Sequence, residues 1–151
     1  MLVVRKCSWF FIFKNIHTST TYLTNLQSSN QILGVDDEEF NRYLLKVVFE
    51  KWGIKFQEAK NGKEAVEMAL ENDFDLILMD LRMPVLNGFE ASKMIINAKP
   101  NLSIVAVAAV NTESEMKLCR DAGMNKFLSK PFSELDLFNV IISVLNTENS
   151  N

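Results

Sequence analysis

Three acids stand where short apolar runs end, and one base follows a mixed segment that reads as a strand. Ile32 to Val35 leads into Asp36-Asp37, Leu76-Ile77-Leu78-Met79 leads into Asp80, and Met124 to Ser129 leads into Lys130-Pro131. A carboxylate after a fully apolar strand suffers desolvation, and two more carboxylates nearby add like-charge repulsion. A bound cation relieves both. A small set of hard oxygen ligands suits Mg2+, which retains waters and completes its shell with phosphate oxygen. Taken alone, Asp36-Asp37-Glu38-Glu39 reads equally well as a helix start, where acidic side chains cap free N–H groups and favour the helix dipole. Lys130 alone reads as a surface lysine before a turn.

The elements that must bring these residues together follow from periodicity. Ile32–Val35 reads as a strand. A helix follows with Phe40, Leu44, Val47 and Val48 on one face, at the 3.6-residue period. Trp52-Gly53 closes it, with glycine where helices commonly stop. Residues 54–59 alternate apolar and polar as a less buried strand, and Asn61-Gly62 is a turn signal. A helix over 64–71 turns Val66, Ala69 and Leu70 inward. The continuous apolar run before Asp80 suits a strand covered on both faces, as in a parallel sheet. Pro84 and Asn87-Gly88 mark a loop, and 89–98 reads as a third helix. Residues 102–109 form a fourth strand. Residues 111–122 form a fourth helix with Met116, Cys119 and Ala122 on one side. Residues 124–129 form a fifth strand. Residues 133–146 form a last helix carrying Leu135, Phe138, Ile141, Ile142 and Leu145, with Ser133 and Asp136 suited to its first turn. Met83, Met94 and Met116 read as packing residues, and Phe127 as part of the sheet's covered face.

Strands alternating with helices imply βαβ units, a parallel sheet and helices on both of its faces. In such a sheet, ligands bind outside the carboxyl ends of the strands. Asp36, Asp37, Asp80 and Lys130 all fall there.

The bulk properties set the frame. The chain has 151 residues, 48% of them hydrophobic and 23% charged, with net charge −3. That suits one domain with a proper core plus an extension, and it argues against a nucleic-acid-binding chain, which carries a basic face. Cys7 and Cys119 lie far apart and form no disulfide framework or zinc motif, which is compatible with a cytoplasmic location. Arg5 and Lys6 precede an apolar run, Trp9 to Phe13, that Lys14 ends. It falls short of the roughly 7–15 apolar residues of a signal-peptide core and the roughly 20 of a membrane span. Residues 1–29 read as a linker or appendage, 30–147 as the folded domain and 148–151 as a tail. A remnant of a longer upstream region, sequence from a misassigned start codon and a short membrane-contacting segment are the alternatives for 1–29. His17, the sole histidine, sits in a polar segment and reads as a surface residue.

Three segments together resemble the signatures of response-regulator receiver domains: Ile32-Leu33-Gly34-Val35-Asp36-Asp37, Leu78-Met79-Asp80-Leu81-Arg82-Met83-Pro84-Val85-Leu86-Asn87-Gly88, and Lys130-Pro131-Phe132. The resemblance covers about residues 31–146. Asp37-Glu38-Glu39-Phe40-Asn41-Arg42 resembles receivers attached to hybrid histidine kinases. The resemblance implies a flavodoxin-like (βα)5 α/β fold of three layers, with strand order 2-1-3-4-5. It implies that Asp80 accepts a phosphoryl group from a phosphohistidine on a histidine kinase or histidine phosphotransfer protein. Mg2+ is then held directly by Asp37, by Asp36 through water or by orienting its shell, by Asp80 and by the backbone carbonyl of Arg82. Lys130 pairs with a phosphoryl oxygen, and Pro131 shapes the loop beyond it, often through a cis bond. Phosphoryl transfer needs mostly positioning and charge neutralisation. The chain is accordingly expected to take part in its own phosphorylation and dephosphorylation rather than to act as an enzyme on other substrates. The strand-four to helix-five face is the expected dimer or docking contact.

Two positions depart from the family pattern. The hydroxyl that receivers usually carry at the end of strand four falls on Ala108, and the aromatic switch position falls on Phe127, which has no hydroxyl. This predicts phosphorylation with weak conformational coupling. Its alternative is a receiver-fold docking module with little phosphorylation control. A magnesium phosphatase is disfavoured, because Arg82 stands where such enzymes place a second acid.

Overall fold

The computed structural model describes residues 29–109, 112–124 and 126–145. Most of the expected linker, including His17, and the expected tail lie outside the described residues. Among the described residues five strands and five helices alternate: β1 Gln31–Val35, α1 Glu39–Trp52, β2 Lys55–Ala59, α2 Gly62–Glu71, β3 Leu76–Asp80, α3 Gly88–Ala98, β4 Ser103–Ala108, α4 Glu113–Asp121, β5 Lys126–Ser129 and α5 Glu134–Leu145. All strand pairs are parallel, and the order is β2-β1-β3-β4-β5. This is the expected flavodoxin-like fold. Among the described residues no helix is long and apolar enough to cross a membrane.

Alternation along each strand splits the interior in two. Leu33, Val35, Ile77, Met79, Ile104, Ala106 and Ala108 pack with buried residues of α2, α3 and α4. Ile32, Leu76, Leu78, Val105, Val107 and Leu128 pack with α1 and α5. The central strand β3 is buried throughout, which is why its sequence reads as a continuous apolar run. The edge strand β2 exposes Lys55, Gln57 and Glu58, which suits an edge that faces water.

Several expected helix faces are corrected. The buried face of α1 is Leu45, Val48, Phe49 and Trp52, whereas Phe40 and Val47 are exposed and Leu44 is half-buried. Both sets satisfy the helical period, so periodicity alone does not choose between them. The larger rings win the sheet: Phe49 stacks on Phe56 at 5.0 Å, and Trp52 meets Phe138 edge-on at 5.6 Å. Leu70, Met94 and Leu135 are exposed as well, because α2, α3 and α5 turn Ala69, Ile95 and Leu137 inward instead. Gly53 ends α1 in the left-handed region, φ 71°, as its sequence position predicts. Asn61 is an N-cap rather than a turn centre. Its side chain accepts from Glu64 N–H at 2.9 Å, so α2 starts at Gly62.

Between α1 and α5 lies a buried carboxylate. Glu134 accepts from Trp52 Nε1 at 2.8 Å and from Lys51 Nζ at 3.0 and 3.1 Å. It joins the last turn of α1 to the first turn of α5. Ser133 and Asp136 form the expected start of α5, with Ser133 N–H and hydroxyl donating to Asp136 at 2.9 and 2.6 Å. Those two bonds hold the Asp136 carboxyl below its ordinary range.

Candidate functional site

The register brings the four charged residues to one end of the sheet. Val35 pairs with Met79, Asp80 with Val107, and Ala108 with Ser129. The carboxyl ends of β1, β3, β4 and β5 are therefore level. Two further backbone bonds carry the order past the strand ends: Asp36 N–H donates to Ala59 at 3.2 Å and Lys130 N–H donates to Ala108 at 3.1 Å. Asp36, Asp37, Asp80 and Lys130 thus converge, and one oxygen from each carboxylate lies within 4.8 Å of the others.

Asp36 is buried and almost saturated with donors. Its Oδ1 accepts from Glu38 N–H at 2.9 Å, Asn41 Nδ2 reaches both oxygens at 3.2 and 3.0 Å, and Lys130 Nζ donates to Oδ2 at 2.7 Å. Arg42 donates to the main-chain carbonyls of Asp36 and Asp37 at 2.8 and 3.1 Å. The first turn of α1 thus grips the Asp36-Asp37 corner from behind. The helix-start reading of these acids holds in part: Asp36 accepts a free N–H at the entry to α1. Asp37 is exposed and faces the shared space with its carboxylate.

Asp80 is 8% exposed. Burial pushes its carboxyl from the ordinary 3.8 up to about 6. The Lys130 ammonium at 3.7 Å opposes this, Asp36 adds to it, and the N–H groups of Arg82 and Leu81 oppose it. At neutral pH the site concentrates negative charge in a partly dry place, with one ammonium to balance it. Three carboxylates, one exposed, with oxygens this close form a donor set that fits a hard divalent cation.

The loop after Asp80 needs a glycine at 88. A Cβ there would run into the Asp80 carbonyl oxygen and Leu81 Cα. Gly88 N–H donates to Leu81 at 3.1 Å, and Asn87 caps α3 by accepting from Glu90 N–H at 3.0 Å. Asn87-Gly88 is therefore the seat on which the Asp80 loop rests. From the other side, Gly62 N–H donates to Leu86 at 3.1 Å. Met83 is buried in this loop.

The remaining expected positions lie around the site. The Lys130–Pro131 peptide is cis. Ala108 is buried with its methyl in the α2, α3 and α4 core, and half-buried Phe127 packs on the same cluster. The exposed Arg82 side chain pairs with Glu115 of α4. Sequence reasoning gave no site role to Asn41, Arg42 or Glu115, and took Gly88 only as part of a loop and motif. Asn41 and Arg42 stood in the hybrid-kinase-like motif, which was their one signal.

The family model described as "Response regulator receiver domain" matches residues 32–142. The chain is 38% identical over 117 residues to chemotaxis protein CheY of Halobacterium salinarum, covering 78% of this chain and 98% of that protein. Other curated relatives include sensor and hybrid histidine kinases, of which the chain spans 15% or less. One similar structure is the receiver domain of sensor histidine kinase PA1611 from Pseudomonas aeruginosa, with a magnesium ion coordinated in its active-site cleft. It has TM-score 0.72 and 29% identity, over 78% of this chain and 98% of that one. Another is the co-crystal structure of the Saccharomyces cerevisiae histidine phosphotransfer protein Ypd1 with the receiver domain of its downstream response regulator Ssk1. It has TM-score 0.74 and 30% identity, over 79% of this chain and 90% of that one.

Proposed function

The chain belongs to the response regulator receiver family, and from that premise we propose that Asp80 is the phosphoryl acceptor, loaded from a phosphohistidine on a partner protein. The observation that carries this reading is the convergence of Asp36, Asp37, Asp80 and Lys130 at level strand ends. An Asp80 oxygen attacks phosphorus, the P–N bond breaks, and its electron pair returns to the imidazole. An acyl phosphate remains on Asp80.

The residues supply position and charge. The N–H groups of Leu81 and Arg82 favour the charged form of the Asp80 carboxylate, and Gly88 lets the loop sit close beneath it. Lys130, 2.7 Å from Asp36 and 3.7 Å from Asp80, is within reach of both the acceptor and an incoming phosphoryl oxygen. Asp37 and Asp80 would hold Mg2+ with the Arg82 carbonyl. Asp36, its oxygens already engaged, would orient the shell rather than bind directly. When bound, the cation neutralises the carboxylates and the charge of the phosphoryl group. An apolar stripe of Phe40, Tyr43 and Val47 lies exposed on α1, the helix that starts beside Asp37, and offers a histidine phosphotransfer partner a surface to dock on. Asp80 has no hydroxyl at position 108 to report to, which leaves weak coupling through β4 and β5.

The test is labelling with a small phosphodonor such as acetyl phosphate in Mg2+, followed by borohydride trapping of the acyl phosphate. The label is expected on Asp80 and lost in Asp80→Asn. Undiminished labelling of Asp80→Asn would overturn the assignment.

A further inference from the structure

Arg82 touches both sides of the site's mouth. Its N–H helps hold the Asp80 carboxylate, while its guanidinium forms an ion pair with Glu115 in the first turn of α4. Glu115 is itself fixed. Its Oε2 accepts from the Thr112 hydroxyl at 3.0 Å, and Thr112 Oγ1 accepts from Glu115 N–H at 3.2 Å, which caps the helix. The register of β3 on β4, with Asp80 opposite Val107, sets the two following segments side by side. Arg82 spans the gap between them.

Resting on the reading of Asp80 as acceptor, we infer that the Arg82 guanidinium is a second phosphoryl ligand, held in reserve by Glu115 and transferred to the phosphoryl group when Asp80 is modified. The competition favours transfer. A phosphoryl group carries more charge than one carboxylate and offers three strong acceptor oxygens, and a guanidinium pairs with it in a fork. The Arg82 side chain is 80% exposed, and exposed ion pairs are screened and hold weakly. Glu115 keeps its bond to Thr112 after Arg82 leaves, so its carboxylate is not stranded. The first turn of α4 loses its tether to the Asp80 loop. This path from Asp80 to α4 needs no hydroxyl at Ala108.

The experiment uses the full chain with Mg2+ and beryllofluoride as the phosphoryl mimic. It reads the beryllofluoride midpoint by thermal shift and amide exchange in α4 by mass spectrometry. In the native chain, binding is expected to speed exchange across Glu113–Asp121. Arg82→Ala, which keeps the backbone carbonyl, should raise the midpoint roughly tenfold, as expected for losing a charge-assisted bond. Its α4 should exchange fast before ligand is added and no faster after. Glu115→Gln, which keeps the Thr112 contact but drops the charge, should lower the midpoint, because Arg82 is no longer contested. A purely structural ion pair would move both variants the same way, and that result overturns the transfer. Unchanged α4 exchange in the native chain on binding also overturns it. If the native chain binds no better than Asp80→Asn, the acceptor reading fails, and the inference fails with it.

Discussion

The Lys130 ammonium lies 2.7 Å from Oδ2 of Asp36, a full ångström closer than to Oδ1 of Asp80, the proposed acceptor, at 3.7 Å. The base is therefore parked on the acid whose oxygens other donors already fill, and Asp80 is left with a carboxyl pushed up to about 6 by burial. Without a cation, the site holds its negative charge at a cost to stability.

That cost has a defined pH dependence. A carboxyl raised on folding from 3.8 to about 6 binds a proton that the unfolded chain has already lost. Its contribution to stability falls as pH rises from about 4 to about 6 and is constant above that. Asp80→Asn removes this penalty. Metal-free Asp80→Asn should exceed the native chain in stability by about 2–3 kcal/mol at pH 7.5, with the gap closing toward pH 4. Urea unfolding at several pH values in chelator checks it, and a gap independent of pH would sink it.

Added Mg2+ should raise the melting temperature of the native chain, and chelator should reverse this. Asp37→Asn should weaken the Mg2+ midpoint about tenfold or more, because an exposed ligand with free oxygens is lost. Asp36→Asn should weaken it less. Isothermal titration separates the two, and an equal loss would show that Asp36 ligates directly.

Asn41→Ala should release the Asp36 carboxylate from its back side while leaving α1 intact, since Asn41 is half-buried. Loss of this grip on Asp36 is expected to slow phosphorylation by acetyl phosphate several-fold, about what the loss of an outer-shell partner of a metal site costs. Stability should change by about 1 kcal/mol at most. Normal labelling kinetics would reduce Asn41 to a surface contact.

Glu134→Ala leaves the buried Trp52 Nε1 without its acceptor and removes the carboxylate that Lys51 pairs with. A loss of about 2–4 kcal/mol is expected in chemical denaturation. Glu134→Gln keeps one acceptor oxygen and should cost less. The same cost for both would mean that charge, not hydrogen bonding, sets the contribution.

Ala108→Thr supplies the absent hydroxyl on a buried strand end. It should increase the beryllofluoride-driven change in amide exchange in β5 relative to the native chain. No increase would show that Phe127 or the loop, and not the hydroxyl, limits coupling along β4 and β5.

The four charged residues were legible in the sequence because each follows a segment that reads as a strand, and a parallel sheet gathers such ends in one place. Strand order was not legible from periodicity. It came with the resemblance of three short segments. The face of α1 was misread because Phe40, Leu44, Val47 and Val48 obey the same period as Leu45, Val48, Phe49 and Trp52, and only the stacking of Phe49 on Phe56 decides between them. Glu115 was missed for another reason: it meets Arg82, which another element delivers, through a contact that has no local signature. Asn41 and Gly88 stood within family-like motifs, but nothing local shows their contacts with Asp36 and the Asp80 loop.

The division of β3 between two interiors sets a parity rule on the chain. Leu76 and Leu78 serve α1 and α5, while Ile77 and Met79 serve the helices opposite. Inserting one residue into this strand would exchange the two sets and rotate Asp80 away from Asp37 and Lys130 in the same stroke. Inserting two would restore every side chain to its own layer, and Asp80 keeps its place level with Asp37 and Lys130 only if the added length is taken up at the amino end of the strand. Length variation within β3 should therefore be tolerated, if at all, in even steps.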